Sequence, residues 1–161
     1  MSFTFREGFI GGAILAVGLG IYLIWLWQPD HQVELHADHF IGAIEKRDWT
    51  AVQSAIAVDY GDDWGDNRER LLERMREVLQ FTRKMRIQSI APNTSVEGPR
   101  GTWIAKIEVD GDDSEVMSEI RQRINSLKAP FELQWRRKSA RPWDWKLVHV
   151  SNRELQIPRG D

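Results

Sequence analysis

The chain contains no cysteine. That excludes disulfides, thiolate metal sites, cysteine nucleophiles and a lipidated amino-terminal cysteine, while leaving the compartment open. It also lacks an excess of either charge: 22 basic and 24 acidic residues leave a formal −2, so bulk attraction to nucleic acid is not expected. One stretch lacks charge altogether. "FIGGAILAVGLGIYLIWLW", residues 9–27, holds nineteen uncharged residues. As a helix it would extend about 28 Å, against the roughly 30 Å hydrocarbon core of a bilayer.

What is present then sets the organisation. Tyr22, Trp25 and Trp27 gather at one end of the apolar run, where amphipathic rings favour the headgroup boundary. The exit reads "WLWQPDHQVELH", too bulky for a signal-peptidase site. The reading is an uncleaved transmembrane helix over 9–27, after a short flank (1–8) and before a juxtamembrane linker (28–32). The lipid bilayer is thus the first expected partner. Arg6 precedes the run, and no Lys or Arg follows until Lys46. The positive-inside bias therefore favours a cytoplasmic amino terminus and an exported carboxy-terminal domain. Gly8, Gly12, Ala16 and Gly20 recur every fourth residue, a small-xxx-small ladder that suits self-association through the membrane helix.

The remaining 33–157, with a tail at 158–161, is one domain's worth of chain. Val33, Ala37, Phe40 and Ile44 mark an amphipathic helix for which Asp30 is the expected cap; Asp48 should cap a second, carrying Trp49, Val52 and Ile56. "VDYGDDWGDNRERLLERM" packs four aspartates beside a third helix. Asp66 and Glu69 read as a capping box, and Arg74 and Glu77 as a solvent-face pair. An EF-hand reading starting at Asp62 fails, because Trp64 takes a ligand position and Asn67 the obligatory glycine. No metal or other cofactor is expected.

Beyond residue 84 the period changes. "MRIQSIAPNTSV" and "TWIAKIEV" flank the turn "EGPRG" as two strands. Asp112 and Glu115 then form a second expected capping box, before a helical stripe at Val116, Ile120, Ile124 and Leu127. "PFELQWRRK" and "WDWKLVHVSN" supply two further strands. The fold class is α+β: a transmembrane helix, then a curved antiparallel sheet packed against three helices, with an extra helix inserted between strands. The inserted helix is expected to lie as a lid over the apolar face of Phe131, Leu133 and Trp135.

The phrases "AIEKRDWTAVQSAI", "DYGDDWGDNRERLLERM" and "FELQWRRKSARPWDWKLVHVSN" resemble the cone-shaped superfamily named after nuclear transport factor 2. The resemblance covers roughly residues 33–157, apart from the extra helix and a small hairpin reduced to the Asp/Gly loop. It implies a cone-shaped domain whose enzymatic relatives use a carboxylate or histidine inside the cone as base. The residues that could line such a cavity here are Trp135 and His149, the latter read as sharing a face with Trp145 and Leu147. Without an evident acidic partner, His149 makes a poor base. His36 and His39 stand at metal-pair spacing but lack a third ligand. Arg136, Arg137, Lys138, Arg141 and Lys146 around Trp143 and Trp145 read as turn packing first, membrane or protein contact second, and nucleic acid last. The expected function is a single-pass, non-enzymatic binding or assembly domain. The alternative is a small-molecule binder or an isomerase-, dehydratase- or cyclase-like enzyme using the cone; the small molecule itself is not legible.

Overall fold

The structure, a computed structural model, describes residues 5–156, with side-chain surroundings from residue 14 onward. Its helices are α1 (Phe5–Leu26), α2 (Pro29–Lys46), α3 (Trp49–Ala55), α4 (Arg68–Leu79) and α5 (Glu115–Asn125). Its strands are β1 (Met85–Glu97), β2 (Arg100–Gly111), β3 (Phe131–Arg137) and β4 (Trp145–Ser151). The strands form one antiparallel sheet in the order β1-β2-β3-β4. This is the α+β order expected from the sequence, inserted helix included.

Alternation on the strands sorts residues between two faces. Trp103 and Ala105 on β2 oppose Leu133 and Phe131 on β3, and Trp135 opposes Leu147 on β4. These side chains meet α2, whose Val33, Ala37, Phe40 and Ala43 are buried against them. Phe40 and His36 each meet the Trp135 ring nearly edge-on, at centroid distances of 6.2 and 6.0 Å. The cover over Leu133 and Trp135 is therefore α2, not the inserted helix.

The inserted helix α5 has another task. β3 pairs with β2 no further than Ala105, so the last residues of β2 have an unpaired edge. Asn125, at the end of α5, takes the backbone N–H of Val109 with its Oδ1 (2.8 Å) and returns its Nδ2 to the Val109 carbonyl (3.0 Å). Arg121 donates to the Asp112 carbonyl (3.1 Å), and Met117 is fully buried. α5 closes a bare edge that would otherwise expose unpaired ladder groups. The expected stripe is only half-buried along its length, at Val116, Ile120, Ile124 and Leu127, while Met117 is the residue of α5 that enters the core.

Cap assignments differ from expectation in register. Asp48 caps α3, accepting from Ala51 N at 3.0 Å, as read. But α2 begins at Pro29, so Asp30 lies in its first turn and Gln28 takes the cap position without a side-chain bond. Proline at the first helical position loses an N–H that had no intrahelical partner, which moves the start earlier than the aspartate suggested. Asn67, not Asp66, caps α4 through Arg70 N (2.9 Å), and Ser114, not Asp112, caps α5 through Met117 N (3.2 Å). In both cases the aspartate is drawn into a loop network, and a neighbouring residue with an equally good acceptor takes the cap.

Among the described residues, no helix is long and apolar enough to cross a membrane. The side chains of residues 5–13 of α1 lie outside the described set, and with them the surroundings of Gly8 and Gly12. Ala16 is exposed, and nothing approaches within 4 Å of a Cβ built on Gly20.

Candidate functional site

The acid loop and the last strand come together. From Ala57 to Asp63 the chain runs beside β4: Ala57 N donates to Leu147 O (2.8 Å), Gly61 N to Val148 O (3.2 Å) and Asp63 N to Val150 O (3.4 Å). The segment covers the outer edge of the sheet and carries the aspartates to it.

Each aspartate has a separate partner. Asp59 takes a two-pronged contact from Arg136 (2.6 and 2.8 Å). That guanidinium holds the Asp59 carboxyl below the usual carboxylate range, and the same contact raises Arg136. Asp62 folds the loop on itself, its Oδ1 accepting from the N–H groups of Trp64 (3.1 Å) and Asp66 (2.8 Å). The Tyr60 hydroxyl donates to its other oxygen (3.2 Å), and burial, aided by the aspartates, pushes that phenol far above its ordinary range. Asp63 meets His149, and buried Asp66 meets Arg74 at 3.2 Å. Trp64 ties the loop to the carboxy-terminal segment by donating from Nε1 to Leu155 O (2.8 Å). The carboxylates are spread among four partners, and among the described residues no cluster of three or more His, Asp or Glu could hold a metal ion.

His149 lies on the other face from that expected. The pairing shifts between Gln134 and Trp135, so Trp135 opposes Leu147 while Gln134 opposes His149. Val148 is the extra residue, a bulge that reverses the alternation beyond it. Trp145 and Leu147 stay in the core, Val150 rejoins it, and His149 turns to the outer face. Its Nδ1 stands 2.5 Å from Gly61 O and its Nε2 3.0 Å from Asp63 Oδ1. Both ring nitrogens therefore lie within hydrogen-bond reach of an acceptor oxygen of the loop.

Trp135, the other residue expected to line a cavity, is 1% exposed. The concave face of the sheet is filled by Trp103, Trp135, Trp145, Leu133 and Leu147 against α2. The main hollows are surface grooves. One of about 510 Å³ lies on the outer face, bounded by Ser95, Thr102, Gln134 and Arg136; another of about 440 Å³ runs between α2, α3 and the β3–β4 loop, beside His36, His39 and Trp143. His149 lines neither. His36 is tied to Gln32 O (2.7 Å), as befits a helix-face residue rather than a ligand.

Sequence reasoning missed two pairs, His149 with Asp63 and Arg136 with Asp59. Both join residues more than seventy positions apart, and neither partner sits in a local motif.

Solved structures share this architecture. Bd1075 of Bdellovibrio bacteriovorus superposes with a TM-score of 0.60 at 9% identity, over 78% of this chain; the chain spans only 40% of that protein. An NTF2-like protein of unknown function from Pseudomonas putida gives 0.57 at 11% identity, over 75% of this chain and 82% of that one. A candidate dehydratase of the NTF2-like family from Streptomyces avermitilis gives 0.55 at 15%, over 75% and 91%. No family model and no curated protein matches the chain. At these identities the likeness shows the fold alone, a nuclear transport factor 2-like α+β domain.

Proposed function

We propose that the chain is a membrane-anchored, non-enzymatic binding or assembly domain. The observation that carries the non-enzymatic part is the packed concave face. Three tryptophans and two leucines occupy the space in which a cone enzyme would hold its substrate, His149 faces outward with both nitrogens engaged, and His36 packs edge-on against the Trp135 ring. A general base needs a free lone pair within reach of a bound substrate, and His149 meets neither condition. A dehydratase- or isomerase-type activity is the alternative, resting on fold neighbours with such descriptions. The two readings separate by titrating small apolar ketones against the fluorescence of the full chain. An unchanged spectrum is expected; a saturable change abolished by Trp135→Phe would favour the enzyme.

The anchor rests on the uncharged run at 9–27 and on the surface of α1, where Ile14, Leu15, Val17, Leu19, Ile21 and Ile24 are each more than 60% exposed. So much large apolar surface on one helix supports a non-aqueous partner. The charge bias around the run favours an exported domain. The full-length chain should stay in the membrane pellet through alkaline carbonate; release into the supernatant would remove the anchor. A reporter active only in the exported compartment, fused after Asp161, should be active, and cytoplasmic activity would reverse the orientation.

A further inference from the structure

We infer that the β3–β4 loop, residues 138–144, is a second membrane contact that lays the domain down on a lipid surface bearing anionic headgroups. The inference rests on the proposed anchoring of α1 and adds a surface to it. Geometry places the loop at the correct end. A Cβ on Gly101 would meet Val33 Cγ2 at 2.5 Å and Trp145 Cζ3 at 3.3 Å, so the first turns of α2 lie over the start of β2 and β4. Arg100 pairs with Arg136, Arg136 with Lys146, and Arg137 N donates to Pro99 O (2.8 Å). Both hairpin tips therefore lie at the end of the domain from which α2 emerges.

That end is held close to α1. Two residues, Trp27 and Gln28, separate the helices, which allows at most about 10 Å between their ends. The junction is clasped as well: Gln32 Nε2 donates to Leu26 O (2.6 Å), and the Trp25 and His31 rings stack 4.1 Å apart. If α1 ends at the hydrocarbon boundary, the headgroup layer occupies only roughly 5–8 Å beyond it. The domain has little room to stand off.

The loop's chemistry fits that position. Lys138 N donates to Asp144 O (2.8 Å) and Trp145 Nε1 to Pro142 O (2.7 Å), giving the turn a defined shape. Lys138 and Arg141 are exposed, and among the described residues neither is within ion-pairing distance of a carboxylate. Arg100 is exposed beside them, and Trp143 is 52% exposed. Unpaired cations with a half-exposed indole suit an interface that is anionic outside and apolar beneath. Bulk charge cannot account for the grouping, because the chain as a whole is slightly acidic.

The absence of native cysteine makes the test direct. Ala140→Cys and, at the far end of the domain, Ser118→Cys would each be labelled with an environment-sensitive dye in the full chain. The labelled chains would be placed in lipid nanodiscs of phosphatidylcholine alone or mixed with phosphatidylglycerol. The Ala140 label should shift to the blue and lose aqueous-quencher access several-fold in the anionic discs, and the Ser118 label should not. At about 1 M salt, where screening shortens to about 3 Å, the shift should vanish. Lys138→Glu with Arg141→Glu should abolish it as well. A label equally wet in both discs overturns the inference and leaves the anchor standing, whereas failure of the chain to enter discs overturns both. Protection that is independent of charge and salt assigns the loop to apolar or protein contact and also overturns it.

Discussion

Arg74 provides a sharp test of the acid loop, because its local sequence marks it as an ordinary surface residue. On α4 it stands three positions before Glu77, a pairing worth a few tenths of a kcal/mol. In the fold it turns back to Asp66, with Nη2 3.2 Å from Oδ1. Asp66 is 4% exposed, and its side chain otherwise lies inside the loop. Arg74→Ala would leave a carboxylate buried without its counter-charge, at a cost of about 3 kcal/mol. The reverse change, Asp66→Ala, leaves Arg74 in place. Its side chain is 31% exposed and can turn to water, so the expected cost is about 2 kcal/mol, that of a lost charged hydrogen bond. Asn67→Ala removes the cap alone and should cost about 1 kcal/mol. The order is therefore Arg74, Asp66, Asn67, with the residue most exposed of the ion pair the most damaging to remove. Thermal unfolding of the full chain in detergent, followed by circular dichroism, resolves these differences, at about 2–4 °C per kcal/mol for a chain of this size. The double variant Asp66→Ala with Arg74→Ala should be no worse than Arg74→Ala, since the orphaned charge is gone. An Arg74→Ala loss below about 0.5 kcal/mol, typical of a neutral surface change, would refute the pairing.

The other expectations concern packing, edge and pH. Leu147→Ala, at a fully buried position, should cost 2–5 kcal/mol by denaturant titration. Gly101→Ala should destabilise although it adds one methyl, because its Cβ would meet Val33 Cγ2 at 2.5 Å; an unchanged midpoint would show that α2 can yield. Asn125→Ala should orphan the Val109 N–H, costing about 1–3 kcal/mol, and raise concentration-dependent aggregation through the reopened edge. Acid should unfold the protein from about pH 4 downward. Asp112 is held below its usual range by the Ser114 hydroxyl and then by backbone N–H groups of Lys84, Ser114 and Arg83; Asp59 is held down by Arg136, and Glu154 by the N–H groups of Lys128 and Ala129. Groups lowered on folding stabilise above their unfolded pKa and lose that contribution as pH falls, since the unfolded chain then binds more protons. Asp38, raised by burial and then by Glu34, works in the opposite sense. Asp112→Asn should lower stability at neutral pH and flatten the acid limb, and an unaltered limb would count against these contacts.

Elements were legible in the sequence where their period was strong, and side-chain assignments failed where a contact crossed the chain. The stripe of Val33, Ala37 and Phe40 placed α2, and alternation in "FELQWRR" placed β3, because both patterns are imposed by a single apolar face. The caps of α4 and α5 were misplaced by one and two residues for a common reason. Aspartate, asparagine and serine cap almost equally well, so the choice is made by whichever residue another tertiary contact claims. Asp66 is claimed by Arg74, and Asp112 by the N–H groups of Lys84 and Arg83, twenty-eight and twenty-nine positions away. The covering role assigned to α5 failed for a related reason. Its stripe resembles that of a lid, but the residue that fixes its place is Asn125, whose bond to Val109 no periodicity announces.

The bulge at Val148 shows how one such local event decides the functional reading. With unbroken alternation His149 would join Trp145 and Leu147 on the concave face, beside Trp135, where a cone enzyme keeps its base. One extra residue on β4 reverses that order and delivers the imidazole to the loop that follows α3. The cause lies in what pairs with each edge of β4. Trp135 is held opposite Leu147 by the core, while the 57–63 segment on the other edge takes the carbonyls of Leu147, Val148 and Val150. Successive carbonyls, 147 and 148, are thus both used on one edge, which a regular strand does not allow because alternate carbonyls point to opposite sides. The bulge lets Val148 O turn outward to Gly61 N and carries His149 to Gly61 O and Asp63. The histidine thereby becomes a fastener between loop and sheet, and the concave face is left to tryptophan and leucine. Losing the bulge alone would give the concave face a histidine without a cavity, and emptying the face alone would give it a cavity without that histidine.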